Sequence, residues 1–225
     1  MISYGVYHIF CVNNWKNVFL EQIDLLKKSD LINFIDKLYL TITYNVDSDI
    51  DFISENLKNY KFEILYKTKN NEYEFPALNC IKDLAKKENC NIFYIHTKGV
   101  SITEQNMKFY HNSSDINHLK ECVNDWRNYM SYFVIENFKT CLDILESYDA
   151  CGVNLCDNPQ KHFSGNFWWS KSDYINKLPE IDSVNKNHRW NAEFWIGSAN
   201  GNLYSFHNNS AGYRERIKKE TYFIK

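Results

Sequence analysis

Between residues 4 and 95, four strand-like runs alternate with three amphipathic stretches. YGVYHIFCV (residues 4–12) is rich in β-branched and aromatic residues, as strands are. Asn13 and Asn14 punctuate it, and Val18, Ile23 and Leu26 then mark the apolar positions of a helix. KLYLTITY (37–44) predicts a second strand, residues 50–57 a short helix, and YKFEILYK (60–67) a third strand. Pro76 suits the first turn of a helix, where its missing N–H costs nothing, and Ala77, Leu78, Ile81, Leu84 and Ala85 continue the stripe. NIFYI (91–95) is short and nearly all apolar, as strands buried on both faces are. Such alternation builds βαβ units and a doubly wound sheet. Ligands of these sheets bind beyond the carboxyl ends of the strands, where His96, Thr97, Lys98 and Gly99 fall.

The second half reads differently. Residues 101–116 are polar and predict a long loop, either a lid or a plain connection. The stretch 116–148 holds one or two helices with a break near Asn137. YDACGVNLC predicts a strand containing a glycine, HFSGNFWWSKSDYI a strand or turn running into a helix, and GNLYSFHNN a last strand. With no internal repeat, linker or low-complexity tract, we expect one domain over 1–225.

Bulk properties exclude several classes. The 26 basic and 28 acidic residues leave no cationic surplus for nucleic acid as the main partner. Seven cysteines, an odd number without C-x-x-C spacing, predict free thiols in a reducing compartment. The opening MISYGVYHIFCVNNW lacks a basic leader and alternates like a strand, and no stretch approaches the ~18 apolar residues of a membrane span. These features together predict a cytoplasmic protein with no transmembrane segment. No Walker A loop, G-x-G-x-x-G, H-E-x-x-H or G-x-S-x-G occurs, which counts against kinases, dehydrogenases, zincins and α/β-hydrolases.

Each remaining candidate has a functional and a structural reading. His96-Thr97-Lys98-Gly99 is either a solvated turn or a site for an anion, with Lys98 as a mobile charge, Thr97 as a hydroxyl and Gly99 permitting close backbone approach. Asp47-Ser48-Asp49 could chelate a cation, but acidic and hydroxyl residues before a helix more often cap it, and the cap is favoured. In HFSGNFWW, Gly165 and Asn166 interrupt an aromatic run. Trp168 and Trp169 face opposite ways if extended, so one can line a cleft while the other packs, or both can pack. Glu193, alone among the aromatics of RWNAEFWIG, suits a proton acceptor with a pKa raised by desolvation; otherwise it pairs with Arg189 or a backbone donor. His207 could meet a metal or a phosphate, or cap a turn. Arg127 could reach a ligand from its helix or stabilise a surface.

The order YIHTKG, WRNYM, ACGVN, FSGNFWWSKSDYI and AEFWIG, over roughly residues 4–210, resembles a family of GT-A-like glycosyltransferases found in bacterial surface-polysaccharide clusters and large DNA viruses. It is similar to the first domain of a chlorella-virus enzyme that glycosylates a capsid protein. The resemblance implies a mixed central sheet flanked by helices and a nucleotide-diphosphate-sugar donor, UDP-linked by preference. It also implies a glycan or glycoprotein acceptor, with the nucleotide-binding half of the single domain at about 1–100 and the acceptor-side half at about 101–225. HTKG takes the place of the D-x-D motif of ordinary members, so metal dependence is open: Lys98 could neutralise the diphosphate, or His96 and His207 could help hold Mn²⁺ or Mg²⁺. By the same resemblance Glu193 falls where inverting members carry their base. Gly165 and Asn166 border the donor sugar, Trp168 and Trp169 shape the sugar sites, and Glu72, with Asn70 and Glu74, precedes the helix near the nucleotide. The alternative is a catalytically degraded member that only binds a nucleotide sugar or glycan.

Overall fold

A computed structural model describes residues 1–110, 114–209 and 211–223. The strands β1 (Ile2–Phe10), β2 (Lys37–Thr43), β3 (Phe62–Thr68) and β4 (Cys90–His96) match the four apolar runs. The helices α1 (Trp15–Lys28), the single turn α2 (Leu31–Phe34), α3 (Asp47–Leu57) and α4 (Phe75–Lys87) connect them. All four strands are parallel neighbours in the order β3-β2-β1-β4. The chain therefore steps outward from β1 to β3 and returns to the other side of β1 with β4. The crevice between β1 and β4 is the point at which strand order reverses, the place where open α/β sheets bind ligands.

The start of α3 settles the Asp47-Ser48-Asp49 question. The Asp49 carboxylate accepts the backbone N–H groups of Asn45 and Val46 at 3.1 and 3.2 Å, closing the turn ahead of the helix. Pro76 occupies the first turn of α4 as its spacing predicts.

Beyond β4 the predicted loop holds a short turn of helix at Met107–Phe109. Part of that loop, residues 111–113, lies outside the described residues. Then come α5 (Ile116–Ser131), a π-helical segment (Tyr132–Glu136) and α6 (Phe138–Leu145), with the break at Asn137. The strands and α-helices that follow are β5 (Ala150–Gly152), β6 (Leu155–Cys156), β7 (His162–Phe163), β8 (Trp168–Lys171), α7 (Ser172–Ile175), α8 (Trp190–Phe194) and β9 (Leu203–Ser205). β6 and β7 form a separate two-stranded sheet.

β8 runs antiparallel to both β4 and β5, and β9 is parallel to β5, which completes a mixed seven-stranded sheet. The reversal of β8 brings the turn that enters it to the carboxyl end of β4, since Tyr94 pairs with Trp168. Alternation along the strands feeds two cores. Tyr7, Ile9, Phe93 and Ile95 pack with α1, α3, α5 and α6 on one face. Tyr4, Val6, Ile92 and Tyr94 pack with α4, α7 and α8 on the other. Among the described residues no helix is long and apolar enough to cross a membrane.

Candidate functional site

The HTKG segment leaves β4 at the crevice, and its backbone is tied down from three directions. The Thr97 hydroxyl accepts the N–H of Phe10, while the Thr97 N–H donates to the carbonyl of His8. The carbonyl of His96 accepts from Gln22 Nε2 of α1 at 3.1 Å. The carbonyl of Lys98 accepts from Arg127 Nη1 of α5 at 3.1 Å, and that of Val100 from Asn13 Nδ2 at 2.7 Å. Side chains from outside the turn thus take three of its carbonyls. Gly99 supplies the left-handed backbone, with φ +88°, and a Cβ there would stand 2.2 Å from Val123 Cγ1 of α5.

The turn before β8 repeats this design. Gly165 has φ +91°, and a Cβ would lie 2.3 Å from Met130 Sδ and 2.6 Å from Trp126 Nε1. Asn166, with φ +60°, is buried. Val123, Trp126 and Met130 share one stripe of α5, so a single helix forms the floor under both glycine turns.

Between these turns opens a cleft of about 1020 Å³. His96, Thr97, Lys98, Gly99, Gly165 and Glu193 all line it. Glu193 comes from α8 and accepts the backbone N–H of Gly165, the backbone donor foreseen as one of its readings. Lys98 is partly buried, with its ammonium 5.5 Å from the centre of the Tyr213 ring. Burial works against its charge, but Tyr213, Glu193 and Glu74 outweigh it and hold the lysine above its ordinary range. It is a fixed cation. Among the described residues the cleft carries three cationic side chains, Lys98, Arg189 and Arg214, against two carboxylates, Glu74 and Glu193, so its charge favours an anionic ligand.

His96 is buried, and burial followed by the nearby Lys98 charge holds its imidazole neutral, well below the usual histidine range. Its Nδ1 stands 3.5 Å from Glu74 Oε2. Glu74, at the start of α4, is the hub of a polar cluster: it accepts from Asn166 Nδ2 at 2.5 Å and from the Tyr94 hydroxyl at 3.1 Å.

Several sequence candidates lie elsewhere. Trp168 and Trp169 are fully buried on opposite faces of β8 and shape no sugar site. β8 is flanked by β4 and β5 and covered on both faces, so neither ring can reach the cleft. Trp168 Nε1 donates to Asn166 Oδ1, and Trp169 Nε1 to the carbonyl of Val134, both at 2.8 Å. Asn166 is turned inward by its bonds to Glu74 and Trp168 and acts on the cleft only through Glu74. Glu72 is exposed and accepts the Tyr66 hydroxyl, while Glu74, two residues on, reaches the cleft in its stead. Arg127 is buried beneath the HTKG turn, paired with Glu21 and Asn124 at 2.7 Å, and supports the backbone of Lys98 without lining the cleft.

His207 sits behind the cleft wall. Its Nδ1 is 3.0 Å from the Tyr129 hydroxyl and its ring stacks on Phe133. Among the described residues no three His, Cys, Asp or Glu side chains converge on a point. The expected pair of His96 and His207 is split, the first facing Glu74 and the second Tyr129.

Three cleft groups escaped the sequence reading. His8 lies near the carboxyl end of β1 and pairs directly with His96 across the parallel ladder. Only the strand register, which puts two histidines side by side at the crevice, could have signalled it. Tyr213 belongs to a segment without periodicity and no local signal marks it, whereas Trp190 lies in the RWNAEFWIG stretch, and only the formation of α8 puts it on the face of Glu193.

Comparison with known proteins adds a family and a fold. The family model described as Domain of unknown function (DUF8361) matches residues 7–216. No curated protein matches the sequence. Among solved structures the chain is similar to HddC from Yersinia pseudotuberculosis, at 10% identity and a TM-score of 0.50, over 92% of this chain and 91% of that one. A candidate nucleotide-diphospho-sugar transferase from Desulfovibrio desulfuricans G20 is 8% identical with a TM-score of 0.44, over 92% and 81% of the two chains. The 4-diphosphocytidyl-2C-methyl-D-erythritol synthase of Anaerococcus prevotii is 11% identical with a TM-score of 0.45, over 96% and 92%. At such identities the likeness is one of fold. The architecture is the GT-A-like α/β fold, a mixed central sheet flanked by helices.

Proposed function

We propose that the chain, which belongs to the DUF8361 family, moves a sugar from a nucleotide-diphosphate donor to an acceptor hydroxyl. The observation that carries this reading is the meeting of a fixed ammonium, Lys98, and a carboxylate, Glu193, in one cleft at the strand-order reversal of the sheet. Sugar transfer needs these two groups. As the bond between the anomeric carbon and the diphosphate breaks, the electron pair leaves on the diphosphate oxygen, and Lys98 meets the charge that develops. As the acceptor oxygen attacks the same carbon, its proton passes to the Glu193 carboxylate.

Backbone support gives both groups their positions. Arg127 holds the carbonyl of Lys98, and the N–H of Gly165 holds one oxygen of Glu193. In this reading Lys98, with Arg189 and Arg214 on the cleft wall, meets the charge of the diphosphate. A UDP-linked donor and a glycan or glycoprotein acceptor are favoured by the motif resemblance, as is the setting of bacterial surface polysaccharide or viral glycoprotein synthesis. A carboxylate base further implies inversion at the anomeric carbon.

Calorimetry against UDP-, GDP-, CMP- and dTDP-sugars, each with Mn²⁺ and with EDTA, tests the donor assignment. Binding of one donor should survive EDTA. Binding only with Mn²⁺ would return the diphosphate to a metal, and no binding in either condition would overturn the reading. Glu193→Gln tests the base: donor affinity should stay within about twofold while transfer falls ~10²-fold or more. Equal loss of both would remove Glu193 from that role. Donor binding without turnover of any acceptor or of water would favour a nucleotide-sugar binding protein.

A further inference from the structure

The structure assigns Trp190 as the platform of an acceptor subsite that takes a pyranose ring, an inference that rests on the transfer reading above. Five of the six tryptophans are at most 5% exposed, whereas Trp190 is 55% exposed. A large apolar ring left open to solvent is the informative exception to burial. It is also not on an arbitrary surface: Trp190 lines the cleft.

Trp190, Glu193 and Phe194 stand at i, i+3 and i+4 of α8, hence on one face, and all three line the cleft. Phe194 is anchored against His162, with ring centres 5.0 Å apart. Trp190 is braced by Arg189, whose guanidinium lies 5.5 Å from the Trp190 ring centre and 5.7 Å from that of Tyr110.

The acceptor hydroxyl must sit within hydrogen-bond reach of Glu193. Trp190 lies one helical turn away, about 5 Å along the axis, which is the span of one sugar ring. A pyranose whose hydroxyl meets Glu193 can therefore lay its C–H face on the indole, while Arg189 offers N–H donors to its edge. A serine or threonine side chain delivering the same hydroxyl is too small to cover Trp190. The chemistry accordingly points to a saccharide acceptor and away from a bare polypeptide.

The probes are methyl glycosides of the common hexoses, of an N-acetylhexosamine and of a hexuronic acid, with a Ser/Thr-containing peptide beside them. Binding is read by tryptophan fluorescence, in which Trp190 is the solvent-exposed emitter. One class of glycoside should give a saturable change that Trp190→Ala abolishes. In steady-state transfer to that glycoside, Trp190→Ala should raise the acceptor KM about tenfold with a smaller change in kcat, and Trp190→Phe should restore most of it. An unchanged acceptor KM in Trp190→Ala, or saturable binding of the peptide with no response to any glycoside, would overturn the subsite. If the glycoside signal appears but no nucleotide sugar is turned over, the transfer reading fails and a saccharide site at Trp190 stands.

Discussion

His8 shows how a single side chain reports on the whole crevice. Its ring is buried between β2 and β4, with Nδ1 2.9 Å from the Thr41 hydroxyl. Burial lowers its pKa to about 4; Glu74 draws a proton toward it and His96 repels one. The folded protein therefore holds His8 neutral where the unfolded chain, with its ordinary value near 6.5, already binds a proton. Stability is at full strength above the unfolded pKa and is lost as pH falls from about 6.5 toward 4, by on the order of 3 kcal/mol for this group. His96 is shifted in the same direction and adds to the slope. Urea midpoints measured between pH 7 and pH 4.5 should fall steeply in the native protein and less steeply in His8→Gln. Parallel slopes would mean that His8 is solvated.

At the scale of elements, α5 carries the site. Gly165 is left-handed and pressed on Trp126 and Met130, so Gly165→Ala meets both backbone strain and a steric clash. The expected cost is about 2–4 kcal/mol, a drop of roughly 5–15 °C in Tm. Thermal denaturation followed by circular dichroism measures it, and a shift under ~2 °C would show that the turn is not held against the helix. This arrangement was only half legible in the sequence. Strands β1, β2 and β4 were readable because two-sided burial leaves nearly continuous apolar runs, the half-exposed edge strand β3 because of its β-branched and aromatic residues, and Pro76 fixed the start of α4. Gly99 and Gly165 could be singled out, but not the stripe of α5 that confines them, because helix-to-turn contacts leave no periodic trace. The Glu72 and Glu74 pair shows the same limit: both precede α4, and the last turn of backbone before the helix decides which carboxylate faces inward. Trp168 and Trp169 drew attention by their rarity, yet each packs into one of the two cores that cover the faces of β8, which leaves no face for a ligand.

At the scale of the molecule, β8 ties the two halves of the chain together. Residues 91–94 pair with 168–171, and both cores draw side chains from each half. Phe93 packs on Trp169 with ring centres 5.1 Å apart, and Tyr94 on Trp168 at 5.4 Å. Unfolding should therefore be one cooperative event, with tryptophan fluorescence and far-ultraviolet circular dichroism giving coincident transitions in urea. A fluorescence transition at lower urea would show that the second half detaches first.

The helix beneath the two glycine turns also sets how the cleft can change over generations. Both turns rest on one rigid rod, so the gap between Lys98 and Glu193 is a gauge fixed by the floor, and the walls cannot be retuned separately from below. Rim residues such as Trp190 bear on neither turn and are free to drift. A lineage built on this plan would keep its chemistry constant and explore new acceptors by exchanging the rim, as a lathe keeps its bed and changes its chuck.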